Sequence, residues 1–194
     1  PKMDLLNNMW RNFCINDTYE PGSIFKMVTA TAALETGVVS LSDSFTCGGY
    51  AVVADRRIRC HKTTGHGTQT FTQTVMNSCN PAFIEWGRRV GVDNFYKYMG
   101  KLGLLEKTGI DIAGEASTIV HKQENVGEVE LATMSFGQSF QITPMQMLRA
   151  AAAIVNGGKL VTPHFGVKLS DSLGNTVQEF AYDTQDSAIL SQTS

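Results

Sequence analysis

The sequence predicts a helix-rich α/β domain of the α+β kind, in which helices and small antiparallel pairs occupy separate stretches of chain. Three observations carry this prediction. Apolar residues recur at helical spacing in about six segments, two short stretches carry hairpin patterns, and no pair of long strands exists to build a central sheet. The 194 residues suffice for one ordinary domain, and neither a linker-like stretch nor an internal repeat divides them.

After a polar opening, Ser23 to Glu35 reads as a helix. Phe25, Val28, Ala32 and Ala33 form its apolar stripe, Glu-Pro-Gly makes the turn before it and Gly37 ends it. From Ser44 to Arg59 the residues are Phe, Thr, Tyr, Val and Ile around Gly48-Gly49 and Asp55-Arg56, which suits a small hairpin. His61 to Gly67 reads as a polar loop. Thr68 to Asn77 and Pro81 to Val90 are two short helical patterns separated by Ser78-Cys79-Asn80, with Pro81 suited to a first helical turn. Asp93 to Leu102 is a further helix, capped by Asp93 and stopped by Gly103, and Gly127 to Phe136 another. Thr143-Pro144 opens the strongest helix, Met145 to Val155, which Asn156-Gly157-Gly158 closes. Leu160 to Leu169 and Thr176 to Tyr182 read as two strands around Gly174-Asn175, and a helix begins at Thr184.

Composition excludes several classes. With 42% hydrophobic residues the chain is not disordered, and 16 Lys+Arg against 18 Asp+Glu give no electrostatic case for nucleic acid or an anionic membrane surface. No run approaches the roughly 20 apolar residues of a bilayer span, and the first residues lack the basic-then-apolar layout of a signal peptide, which says nothing about location. The chain opens on Pro-Lys-Met-Asp and reads as excised from something longer. Four Cys are too few for a disulfide scaffold and leave the redox compartment open.

Two motifs suit nucleophilic chemistry. In Glu20-Pro21-Gly22-Ser23-Ile24-Phe25-Lys26, a Ser at the first turn of a helix and a Lys three residues on share one face. The helix N-terminus favours negative charge developing on the Ser oxygen, and a Lys shielded from water loses its proton near neutrality. Ser78-Cys79-Asn80 offers a hydroxyl for proton transfer and an amide to hold a substrate amide and orient the Lys, in an extended turn that points both the same way. Each motif alone arises by chance, and the second has an ordinary alternative as a helix cap before Pro81.

Their combination and order decide the reading. Tyr19 to Lys26, His66-Gly67 leading into Asn77 to Phe83, Lys107 to Glu115, and Gly137-Gln138 followed by Thr143 to Gln146 and Asn156 to Gly158 together resemble the transpeptidase domain of class B penicillin-binding proteins, of the cell-division and sporulation type. The likeness is collinear over nearly the whole chain. It implies a β-lactamase/transpeptidase-like fold and a serine-type D,D-transpeptidase that cross-links peptidoglycan stem peptides ending in D-Ala-D-Ala and is acylated by β-lactam antibiotics. By the same resemblance, Ser23 is the nucleophile, Lys26 its base, and Ser78 and Asn80 complete the catalytic and substrate-binding set. It further implies an anchor outside these residues that holds the domain on the outer face of the cell membrane, a glycosyltransferase partner, no cofactor and no nucleic acid.

Departures from the family pattern are informative. The family's third signature, Lys-Thr-Gly on a strand lining the site, falls after the Asn-Gly-Gly helix, whereas Lys107-Thr108-Gly109 precedes it and matches a different family segment. Residues 1–194 are therefore expected to be a partial domain. The two strands before the Ser-x-x-Lys helix and the Lys-Thr-Gly strand lie outside it, and most of the central antiparallel sheet with them. Loss of one oxyanion donor costs about 100- to 1,000-fold in rate, so the isolated chain is expected to be poorly active or inactive.

Other candidates carry less. Cys47, Cys60, His61 and His66 lack the close Cys pair of a zinc knuckle. They are read as free, partly buried thiols and unliganded imidazoles, with a Cys47 to Cys60 disulfide as the alternative and no metal assigned. Cys79, the middle residue of its motif, receives no catalytic role. Glu85 and Glu115 are assigned surface or structural roles. Two further functions share the same Ser: a β-lactamase, which must also activate water, and a β-lactam-sensing or purely structural domain.

Overall fold

The computed structural model describes residues 2–182 and 187–191. The opening segment is not irregular, as its polarity suggests, but holds two helices, α1 (Lys2–Met9) and α2 (Phe13–Asn16). Asn12 caps the second by accepting from the Cys14 N–H, and Ile15 buries completely. The Ser23 helix begins as a 3-10 turn, Gly22–Phe25, and continues as α3 (Lys26–Glu35).

The hairpin region is more divided than expected. Strand β2 (Tyr50–Val53) pairs with β3 (Arg56–Arg59) as a hairpin, while β1 (Ser44–Cys47) pairs antiparallel with β4 (Gly67–Thr70). The first residues of the Thr68 to Asn77 pattern therefore belong to a strand, and the helix that follows is only α4 (Phe71–Met76). The boundary lies at Thr70, whose hydroxyl accepts from the Gln73 N–H while the Gln73 side chain accepts from the Thr70 N–H. This reciprocal capping box satisfies two donors that a helix start leaves open.

Helix α5 (Asn80–Lys101) contains Gly91 at φ 73° and ψ 163°, a break that separates the two helical patterns expected on either side. Then come α6 (Glu128–Met134) and α7 (Pro144–Val155), the latter capped by Thr143 with Gln146 in a second capping box. A last hairpin joins β5 (Lys168–Ser170) to β6 (Thr176–Glu179). Every sheet among the described residues has two strands, and no helix there is long and apolar enough to cross a membrane. The helix expected from Thr184 lies largely outside the described residues.

Helix α3 forms the centre of the packing. Six consecutive residues, Val28 to Ala33, are buried on every face, which only a helix surrounded by others can do. The small Ala and Thr side chains let α5 approach with Phe83, Trp86 and Val90, and Phe25 packs between Phe95 and Phe140. The polar groups drawn in find partners: Thr29 donates to the Ser135 carbonyl at 2.9 Å and Trp86 Nε1 to Thr74 Oγ1 at 3.2 Å. A Cβ on Gly87 would stand 1.8 Å from Ser135 Oγ, so α5 and α6 cross at a contact that only Gly permits.

Candidate active site

The turn that carries Ser23 is built by two glycines. Gly22 sits at φ 58° and donates its N–H to the Gly137 carbonyl at 2.8 Å, while Gly137 sits at φ 85° with no room for a Cβ, which would meet the Gly22 oxygen at 2.0 Å. Backbone against backbone therefore sets where α3 begins. Ser23 is exposed at that start, and Lys26, one turn on, is only 3% exposed beneath it.

Lys26 Nζ lies 3.2 Å from Ser23 Oγ, 2.8 Å from Ser78 Oγ, 2.7 Å from the Ser78 carbonyl and 2.6 Å from Asn80 Oδ1. Four oxygens thus surround a group with at most three protons. The second motif reaches Lys26 by a sharper path than the expected extended turn. Ser78 adopts φ 46°, rare for a residue with a side chain, and closes α4; Asn80 then starts α5. The Asn80 amide is oriented at both ends, receiving from Lys26 through Oδ1 and donating through Nδ2 to the Arg59 carbonyl at 3.3 Å.

Burial brings the Lys26 ammonium down to about 8, against the smaller opposing pull of Cys60 and Cys79. Relative to an ordinary Lys at 10.5, the unprotonated share near neutrality rises roughly 300-fold. A solvent-facing hydroxyl in contact with a partly deprotonated amine, itself held by a second hydroxyl and an amide, is an arrangement for generating an alkoxide nucleophile.

The sequence matches the penicillin binding protein transpeptidase domain family over residues 2–191. The chain belongs to the penicillin-binding protein transpeptidase family. Stage V sporulation protein D of Bacillus subtilis is 47% identical over 162 residues, covering 83% of this chain and 25% of that protein. Peptidoglycan D,D-transpeptidase MrdA of Acinetobacter baumannii is 28% identical over 164 residues, covering 79% of this chain and 24% of the relative. Penicillin binding protein 3 from Mycobacterium tuberculosis, solved in complex with ampicillin, superposes with a TM-score of 0.81 at 26% identity, over 94% of this chain and 40% of the solved one. The chain spans about a quarter of the length of these curated relatives. Both the expected family and its α+β transpeptidase fold are thereby shown.

The residues set aside fall where their chemistry is structural. Glu115 accepts from the Thr108 and Gly109 N–H groups, so Lys107-Thr108-Gly109 forms a loop closed by its own neighbour. Asp111 accepts from the Phe165 and Gly166 N–H groups and from the Tyr182 hydroxyl. Glu85 pairs with Arg88 and Arg89 on the surface of α5.

The cysteines are free thiols as expected from their spacing, but spacing does not show where they lie relative to one another. All are free thiols, so the Cys47 to Cys60 disulfide is not formed. Cys47, Cys60, His66 and Cys79 instead converge, with ligand atoms all within 4.8 Å of one another. Burial pushes the Cys79 thiol up to about 12, which keeps it protonated beside Ser78. The convergence rests on β1 pairing with β4, which sets Cys47 opposite Gly67, next to His66. The one signal available in the sequence was a third Cys inside the Ser-x-Asn motif.

Proposed function

We propose that this chain carries the acyl-transfer site of a peptidoglycan D,D-transpeptidase, with Ser23 as nucleophile and Lys26 as its base. The observation that supports this reading most is the contact of Lys26 Nζ with Ser23 Oγ, Ser78 Oγ and Asn80 Oδ1 from within a buried setting. Ser23 Oγ attacks the carbonyl of the penultimate D-alanine of a stem peptide, and its proton passes to Lys26 Nζ. The tetrahedral intermediate collapses as the C–N bond breaks, and the proton moves from Lys26 through the Ser78 hydroxyl to the departing D-alanine amine. An amine of a second stem peptide then attacks the ester and regenerates Ser23.

Asn80 has two roles in this reading. Its oxygen holds Lys26 in line, and its amide lies beside the path of a substrate peptide group. A β-lactam carbonyl takes the place of the D-Ala-D-Ala amide, but the opened ring stays tethered and blocks the acceptor amine. The whole protein acts on the outer face of the membrane, beside a glycosyltransferase that supplies glycan strands.

Incubation with penicillin followed by intact mass and fragment mapping tests the assignment. The expected result is a single penicilloyl adduct on Ser23, absent in Ser23→Ala. The same measurement on a chain continued past Ser194 reads the contribution of a third signature strand as a faster acylation. An adduct on another residue, or none on either chain, overturns the reading. Continuous release of opened antibiotic instead of one stable adduct marks the β-lactamase alternative.

A further inference from the structure

The outer face of the β2–β3 hairpin carries charge that no neighbour answers. Burial alternates along both strands: Ala51, Val53 and Ile58 turn inward against the core, while Tyr50, Val52, Arg57 and Arg59 are exposed on the opposite face. Arg56, Arg57, Arg59 and Lys62 place four of the 16 Lys and Arg within one short stretch of a chain whose net charge is -2. Among the described residues, neither the Arg57 nor the Arg59 side chain makes an ion pair or a hydrogen bond.

The two arginines are nevertheless held in place. Arg57 Cζ lies over the Tyr50 ring, 3.6 Å from its centre, which fixes the guanidinium and leaves its N–H edge open. Gly49, Tyr50, Arg57, Arg59 and Thr63 line a hollow of about 350 Å³. The loops beside it are locked, since a Cβ on Gly49 would stand 2.1 Å from the Thr63 carbonyl oxygen.

This hollow adjoins the site built around Lys26. The Arg59 carbonyl accepts from Asn80 Nδ2 at 3.3 Å, and Asn80 Oδ1 accepts from Lys26 Nζ at 2.6 Å. Strand β3 thus lends its backbone to the site and its side chains to the surface beside it. A peptide that passes Asn80 and continues over β3 meets both guanidiniums. These sit on alternate residues of one strand, about 7 Å apart at the backbone, and their forked N–H groups match the two oxygens of a carboxylate.

We propose that Arg57 and Arg59 bind a carboxylate of the donor stem peptide upstream of its D-Ala-D-Ala end, and so select anionic peptides. The proposal rests on the acyl-transfer reading of Ser23, which sets where the D-Ala-D-Ala end lies. The contact is a charge-assisted hydrogen bond away from the reacting atoms, so it sets specificity and enters no bond-breaking step.

The test is a titration of the chain, labelled with nitrogen-15 at arginine, with synthetic L-Ala-γ-D-Glu-meso-diaminopimelyl-D-Ala-D-Ala. The Nε–H signals of Arg57 and Arg59 should shift together while those of Arg88 and Arg89 on α5 stay in place. The same peptide with every carboxylate except the C-terminal one amidated should bind about 10-fold more weakly, the lower end of what a hydrogen bond to a charged group contributes. Arg57→Gln and Arg59→Gln should each weaken the free-acid peptide and leave the affinity for the amidated one unchanged, a charge-specific loss that a structural role would not produce. Both side chains are exposed, and the titration of the unaltered chain carries the test if either variant fails to fold. Penicillin labelling of Ser23, measured in parallel, separates the two claims. Labelling without arginine shifts, equal affinity for the two peptides, or shifts that inorganic phosphate reproduces in full at the same concentration overturns the carboxylate subsite and leaves the acyl-transfer reading standing. Arginine shifts specific to the free-acid peptide, without labelling, overturn the acyl-transfer reading and support the contact itself.

Discussion

Lys26 is a buried amine whose protonation both limits the proposed reaction and weighs on the fold. Its folded value of about 8 lies below the ordinary 10.5, so acylation of Ser23 should rise with pH, with a midpoint near 8, and level off above it. A profile flat from pH 6 to about 9 would remove Lys26 from the role of base. Lys26→Met should slow acylation about 100- to 10,000-fold while leaving the adduct, where detectable, on Ser23. The same shift has a stability consequence of definite sign. Between about 8 and 10.5 the unfolded chain binds more protons at this position than the folded one, so stability from this group rises with pH across that window. The difference in urea midpoint between wild type and Lys26→Met should therefore change in favour of wild type as pH climbs from 8 to 10. At this scale the sequence was legible for Ser23, Lys26, Ser78 and Asn80, because residue type and order carry their chemistry. The left-handed turn at Ser78 was not, since nothing in a Ser-x-Asn spacing announces a positive φ.

The elements around the site are positioned by a few backbone contacts that substitutions can break. Gly137→Ala would place a Cβ against the Gly22 oxygen at 2.0 Å, in a conformation that alone costs about 1–3 kcal/mol. We expect a lower melting temperature together with a loss of acylation, since the displaced backbone carries Ser23. Unchanged acylation in the folded variant would show that the two loops do not set the nucleophile. Asp111 gathers the Phe165 and Gly166 N–H groups and is drawn down to about 2 by them. Its folded value lies below its ordinary 3.8, so its contribution is complete above that pH and is lost as pH falls towards 2. Asp111→Asn should flatten this part of the acid-unfolding curve followed by circular dichroism. Element types were largely readable from periodicity and caps, as Thr143-Pro144 and the Gly91 break show. The pairing of β1 with β4 was not, because four-residue strands with polar residues look like helix or loop until a partner is known.

The molecule as a whole stands on one apolar cluster to which α3, α5, Phe140 and Ile142 all contribute. Trp86 is fully buried and its indole N–H is satisfied by Thr74, so Trp86→Ala removes a large side chain and strands a hydroxyl contact. A loss of about 3–5 kcal/mol is expected, measured from the urea midpoint at constant slope. A loss below about 1 kcal/mol would mean that the cluster collapses readily around the gap. By itself the sequence determined the family, the helix-rich α+β class and the four residues of the candidate site, because each is written in side-chain chemistry and local spacing. Only the tertiary structure decided that Lys26 is buried among four oxygens, that Gly137 sets the Ser23 turn, and that three cysteines and a histidine meet. The physical reason is the same for all three. Desolvation and backbone approach are properties of segments brought together from distant parts of the chain, and no local pattern records which segments will meet.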